Sequence, residues 1–307
     1  MHYQDLIVFF DTNAVSGIQI SHDFFIRTCG MLFELTKHYM KRVSCLFLSI
    51  VLSAISAQAQ TVHYVNLGAR EMSIDSYNSH SQKILSILEK SDSLKLVRIA
   101  TFNEWEDSLA LSHFSNDPYI PDMDYPDSIR QYLQPTRMIN SDSETTRHIA
   151  EKIYDGKEQT IFQVLDKALR FSSLLKYDEE LASKIGNGEL LGKSSDSSVE
   201  SWSGTCGEAA NVFIALMRYM KVPARFVTGY VWNEAENVCS GHAWAEVYFD
   251  SFGWWAVNPQ TSGTAIPYYA YKILVGTDIE HLGINKLSDM YINESRWLII
   301  KESEEDN

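Results

Sequence analysis

Between residues 141 and 175 the apolar positions recur three and four apart in two stretches, 143–154 and 160–175, which predicts two amphipathic helices. Residues 209–220 are strongly apolar and stop before Pro223, which predicts a helix with a proline just beyond its end. Residues 224–232 are rich in β-branched and aromatic side chains and predict a strand. In 243–249, Trp244, Glu246 and Tyr248 alternate with Ala245, Val247 and Phe249, and a short strand at 254–257 follows across the turn-like Asp250-Ser251-Phe252-Gly253. One helix followed by consecutive antiparallel strands gives an α+β domain. The upstream pattern is weaker. Ile84, Leu85, Ile87 and Leu88 give residues 81–89 helical spacing, while 95–102 reads as a strand. Residues 116–127 carry Pro118, Pro121 and Pro126 and read as an irregular loop. Residues 186–200 are Gly- and Ser-rich, with only Leu190, Leu191 and Val199 as large apolar residues, and also read as a loop. There is no internal repeat.

Composition changes this picture mainly at the N-terminus. Of 307 residues, 45% are hydrophobic and 21% charged, as in a folded globular protein. The net charge of −14 disfavours a nucleic-acid backbone or an anionic membrane as partner. Met40-Lys41-Arg42, the apolar stretch 43–55 and the small-x-small Ala57-Gln58-Ala59 have the order of a signal peptide. The apolar run is shorter than the roughly 20 residues that span a bilayer, so no stable membrane insertion is expected. Because the pattern begins at Met40, residues 1–39 read as a start-site artefact; a buried N-terminal helix is the alternative. The expected organisation is a leader at 1–59, an N-terminal region of unclear role at 60–131, a main domain at 132–300 and an acidic tail at 301–307. The expected location is secreted or periplasmic. Cleavage after residue 59 leaves Cys206 and Cys239, too few for a disulfide scaffold.

The candidate chemistry centres on Cys206. Thr205-Cys206-Gly207-Glu208 fits a capping box directly before the apolar helix. A thiol in that first turn sits in the positive potential of the helix N-terminus, which predicts a lowered pKa, and the same N–H groups offer donors to an oxyanion. Gly204 and Gly207 let a substrate approach the backbone, and Trp202 is the candidate groove-lining aromatic. The bland alternative is a small buried cysteine at a helix start. His242 opens one strand of the predicted hairpin and Asn258 closes the other. A turn centred on Asp250 sets them directly opposite; one centred on Phe252 keeps them on one face but offsets them. Asn258 can then hold the imidazole while its other nitrogen takes the Cys206 proton. Trp244 reads as core behind His242, Tyr230 as strand packing, and Arg225 as a bridge to Glu208 or Glu246.

Four segments together carry a resemblance: Thr205 to Ala210, Val222 to Tyr230, Gly241 to Tyr248, and Gly253-Trp254 to Asn258-Pro259. In this order they resemble the motifs of the transglutaminase-like superfamily, with Leu133-Gln134-Pro135-Thr136 as a bacterial-type lead-in and a similarity over roughly 132–280. The resemblance implies a papain-like core with N-terminal helices and an antiparallel sheet. It implies Cys206 as nucleophile, His242 as general base and Asn258 as orienting residue. Most relatives carry Asp in the third role; Asn orients the ring but adds no charge to hold an imidazolium. The implied function is cleavage or transfer of amide bonds through an acyl-enzyme on Cys206, with a protein or peptide substrate, no cofactor and no metal. The alternative is a catalytically weak or inactive binding module at the cell surface. A zinc site from Cys206, Cys239 and His242 is disfavoured, lacking a fourth ligand and CxxC spacing. Cys239 lies three residues before His242, where a blocking disulfide with Cys206 is conceivable, although incidental proximity is the preferred reading. Substrate identity and oligomeric state are not legible in the sequence.

Overall fold

The computed structural model describes residues 60–66, 78, 82–90, 95–102, 116–233, 238–266, 270–282 and 300–301. The expected leader at 40–59 and the segment before it lie outside the described residues, as does most of the acidic tail. Residues 58–307 group as one compact unit.

Three strands come first: β1 (Gln60–Asn66), β2 (Gln82–Lys90) and β3 (Lys95–Phe102). A four-residue helix, α1 (Asp127–Arg130), precedes α2 (Glu144–Ile153) and α3 (Ile161–Ser172). Ser143 and Thr160 cap the latter two, at the starts that the sequence marks. Then follow β4 (Lys176–Tyr177), α4 (Glu179–Gly186), α5 (Ser195–Ser201), β5 (Ser203–Gly204) and α6 (Cys206–Tyr219). The chain continues through β6 (Ala224–Asn233), β7 (Val238–Phe249), β8 (Gly253–Val257), β9 (Ala270–Gly276) and β10 (Ile300–Lys301). The architecture is α+β, as expected. An antiparallel sheet of order β8-β7-β6-β9 is the main layer, and a second antiparallel sheet has the order β10-β1-β3-β2.

The apolar run of α6 reflects burial on nearly every side. Phe213, Ile214, Leu216 and Met217 are almost completely inaccessible, in one core with Ala245, Val247 and Phe249 of β7 and Val164, Leu165 and Leu169 of α3. Each large side chain so buried contributes about 1.5–3 kcal/mol. The helix closes on a Schellman arrangement: Lys221 N–H donates to the Arg218 carbonyl at 3.0 Å and Val222 N–H to Met217 at 2.9 Å. Lys221 takes the left-handed conformation, φ 61°, that this cap needs, and Pro223 prevents continuation.

The other face of the main sheet is also covered. Trp244, Val227, Ala256, Ile266 and Ala270 form a second apolar cluster. Beside it lies a buried ion group. The Glu246 carboxylate accepts from Arg225 Nε at 2.7 Å and from Lys272 Nζ at 2.7 Å, and the Arg225 guanidinium lies 4.1 Å from the centre of the Trp254 ring. Of the two partners the sequence suggested for Arg225, Glu246 is the one engaged.

Gly229 faces His242 across the β6–β7 pair and lies at a register irregularity between β6 and β9. A Cβ at this position would fall 1.9 Å from the Tyr271 carbonyl oxygen and 2.7 Å from the Trp244 ring. The glycine is required by close approach of backbone. Gly229→Ala is expected to cost about 3 kcal/mol, at the upper end of overpacking penalties, read as a fall in the urea midpoint with an unchanged slope.

Two sequence expectations are corrected. Residues 81–89 are not helical but form most of β2. The strand has irregularities between Ile84 and Ser86 and between Ile87 and Glu89, and each adds a residue that breaks the alternation of period two. The resulting spacing of Ile84, Leu85, Ile87 and Leu88 imitates a helix. The first residue of β2 ties it to the main sheet: the buried Gln82 amide donates to the Lys272 carbonyl at 3.1 Å and accepts from Lys272 N–H at 2.9 Å. The second correction concerns 186–200, which contains most of α5. Ser194 caps that helix, Ser195 Oγ donates to Asn140 Oδ1 at 3.1 Å, and Asp196 accepts from Ser143 Oγ at 2.8 Å. Polar anchoring replaces the apolar stripe that pattern reading relies on.

The segment 116–127 is irregular as expected, and it is pinned. Asp117 accepts from Ser251 N–H at 3.1 Å, holding the β7–β8 turn, and Tyr119 Oη donates to the Met220 carbonyl at 2.8 Å. No helix of the described residues is long and apolar enough to cross a membrane.

Candidate active site

Cys206 is the first residue of α6, within the capping box that the sequence shows. Glu208 Oε2 accepts from Thr205 N–H at 2.8 Å and from Thr205 Oγ1 at 2.7 Å, and Gly207 N–H donates to Thr205 Oγ1 at 3.3 Å. The second Glu208 oxygen accepts from Lys193 N–H at 2.8 Å, and Asn211 Nδ2 donates to the Lys193 carbonyl at 3.0 Å. One buried carboxylate thus fixes the helix start and the loop packed on it.

Cys206 is a free, half-buried cysteine. Burial pushes its thiol above the usual value and the Glu208 charge adds to this; the backbone at Ala243 and Gly207 and the Thr205 side chain oppose it through hydrogen bonds. This reverses the lowered pKa expected from the helix terminus. The terminus potential is present, but desolvation of a thiolate and a carboxylate in the same turn outweigh it. The hydrogen bond from Ala243 places the sulfur beside the residue that follows His242.

The β7–β8 register pairs Phe249 with Gly253 and Ala245 with Val257, so the hairpin is centred on Ser251, between the two turns considered from sequence. His242 and Asn258 share a face and are offset along the strands. Asn258 is clamped by reciprocal backbone bonds with Gly263, at 2.8 and 2.9 Å, and Ser172 Oγ donates to the Pro259 carbonyl that follows it at 3.3 Å. Its Oδ1 lies 3.3 Å from His242 Nε2. An oxygen opposite Nε2 selects the Nε2–H tautomer and leaves Nδ1 as the basic nitrogen. Burial lowers the imidazole below its usual pKa, and the Asn258 contact opposes that. The ring stacks on Trp244, with centres 6.1 Å apart, and Trp244 itself is core. Both directions favour the uncharged forms, thiol and imidazole.

The remaining candidates divide. Gly204 is buried, and a Cβ there would meet Glu208 Cβ at 2.3 Å, so this glycine makes room for the capping carboxylate. At Gly207 a Cβ would make only ordinary contacts, the nearest at 3.7 Å. Trp202 is half-buried at the C-cap of α5 and lines an open hollow that includes none of Cys206, His242 and Asn258. Tyr177 escaped the sequence reading. It pairs with Gly204 through the parallel β4–β5 bridge and remains 54% exposed. Burial and then the Cys206 charge raise its phenol, so it flanks the thiol. No spacing rule brings together residues 177 and 206. The side chain of Cys239 lies outside the described residues, and with it the disulfide and zinc readings. Among the described residues no group of three or more His, Cys, Asp or Glu is arranged to hold a metal ion.

Comparison with known proteins gives a consistent answer. The family model for the transglutaminase-like superfamily matches residues 147–259, a span that contains all three candidate residues. No curated protein matches the sequence. A solved structure of a candidate cysteine protease from Cytophaga hutchinsonii is 17% identical over 73% of this chain and 84% of its own, with a TM-score of 0.50. That likeness concerns the fold. Red sea bream transglutaminase is 11% identical over 68% of this chain and 47% of its own, with a TM-score of 0.24, too low to weigh. Residues 147–259 thus form a transglutaminase-like domain.

Proposed function

We propose that the chain is an exported thiol enzyme that cleaves or transfers amide bonds through an acyl-enzyme on Cys206. The observation that carries this reading is the 3.3 Å contact of His242 Nε2 with Asn258 Oδ1, in a histidine whose next residue directs its N–H at the Cys206 sulfur. In the reaction, His242 Nδ1 takes the thiol proton as the sulfur bonds to the substrate carbonyl carbon. The carbonyl electrons move to oxygen, where first-turn N–H groups of α6 supply donors. Collapse breaks the C–N bond, and His242 returns the proton to the leaving amine. Water, deprotonated by the same nitrogen, then attacks the thioester and releases the acid and the thiol. An amine in place of water makes the reaction a transfer. We favour water, in keeping with the candidate cysteine protease of similar fold and with the absence of a calcium-type acidic loop in the sequence.

A thiol pushed up and an imidazole pushed down by burial fit base-assisted attack better than a standing thiolate, and Asn258 fits it too, since it supplies no charge to stabilise an imidazolium. The same facts favour the second reading, a binding module with little activity at the cell surface. An epoxysuccinyl thiol probe separates the two. It is expected to modify Cys206, mapped by peptide mass, and to leave that position unmodified in Cys206→Ala. No modification of the wild type, or equal total labelling of the variant, sinks the enzyme reading.

A further inference from the structure

Four residues before the thiol, Trp202 forms one wall of an open hollow of about 430 Å³, within the roughly 300–1,000 Å³ of pockets that take small ligands. The other walls are Ile149 of α2, Phe171 of α3 and Val199 of α5, with Glu144, Thr145, His148 and Lys152 completing the rim. Phe171, Val199 and Trp202 are each only half-buried, so a continuous apolar surface stays wet. Covering it returns about 25 cal/mol per Å² of apolar area.

The wall is held rigidly. Trp202 has φ 50°, a conformation rarely taken by a bulky residue. Its N–H donates to the Ser198 and Val199 carbonyls, its carbonyl accepts from Lys176 N–H at 3.2 Å, and its ring meets Phe171 edge-on at 5.5 Å. Two-residue β5 then leads from Trp202 to Thr205 and Cys206. Four chain steps span at most about 14 Å between Cα atoms. An extended peptide spans that distance within about four residues of the attacked carbonyl.

We propose that this hollow is a specificity subsite that receives one large apolar side chain, aromatic or aliphatic, of the peptide that acylates Cys206. The inference rests on the thiol-enzyme reading. The test uses tetrapeptidyl vinyl sulfones that carry Phe or Asp at each position in turn, with iodoacetamide as a probe of the thiol alone. The quantity measured is the rate of modification of Cys206, by peptide mass, divided by the iodoacetamide rate of the same protein. The expected result is a roughly 10–200-fold preference for Phe over Asp at one position, the range of an apolar pocket. That preference is expected to collapse in Val199→Glu, and independently in Thr145→Trp, which fills the rim. Modification by iodoacetamide with no preference, or a preference that survives in both variants, overturns the subsite alone. Failure of every reagent to modify Cys206 overturns the thiol reading and the subsite with it.

Discussion

His242→Ala is expected to slow acylation of Cys206 by p-nitrophenyl acetate at neutral pH by at least about 10²-fold, the lower end for loss of a positioned general base. The reason lies in the two pKa directions. Burial raises the thiol and lowers the imidazole, so little thiolate stands ready at neutral pH and the imidazole is available as a base. The variant retains only its thiolate fraction. Its deficit is therefore expected to shrink as pH rises beyond the ordinary thiol value, about 8.5. In the wild type, activity needs the neutral imidazole, so its acid limb is expected below the ordinary histidine value of about 6.5. Release of p-nitrophenol across pH, for both proteins, measures this; a deficit independent of pH would assign His242 a packing role.

Glu246→Gln is expected to destabilise the fold by about 3–5 kcal/mol, the range for removing one partner of a buried ion group. The Glu246 side chain is 1% exposed, and its partners Arg225 and Lys272 are 8% and 3% exposed. Without the carboxylate, two buried cations face each other across an amide. Burial alone raises the Glu246 carboxyl, but Arg225 and Lys272 overcome this and hold it below the usual value. A carboxyl depressed in the folded state stabilises above its unfolded pKa, about 4.3, and the contribution is lost as pH falls through the lower folded value. Urea titration at neutral pH is expected to show the full difference between wild type and variant, and titration at increasingly acid pH a shrinking one. A variant within about 1 kcal/mol of wild type at neutral pH would contradict this role.

What the sequence made legible was local. The capping box before an apolar helix placed Cys206, and a hairpin of clear alternation placed His242 and Asn258 on one face. These signals survive because cap and alternation depend on neighbouring residues. The helical reading of residues 81–89 failed because irregular pairing in β2 shifted the phase of its apolar residues. The serine-rich α5 was missed because its anchors, Asn140 and Ser143, lie more than fifty residues away. The thiol pKa was read with the wrong sign, because a helix terminus is visible in sequence whereas desolvation depends on everything packed around the sulfur. Tyr177 came to the site only through its pairing with Gly204.

The most direct test of the central claim is an acid quench during reaction with p-nitrophenyl acetate, followed by mass analysis of the peptide containing Cys206. An acetyl group is expected on Cys206, with a burst of p-nitrophenol near one equivalent. In Cys206→Ala both are expected to be absent. An acetyl group on another residue, or a burst that persists in Cys206→Ala, would contradict it.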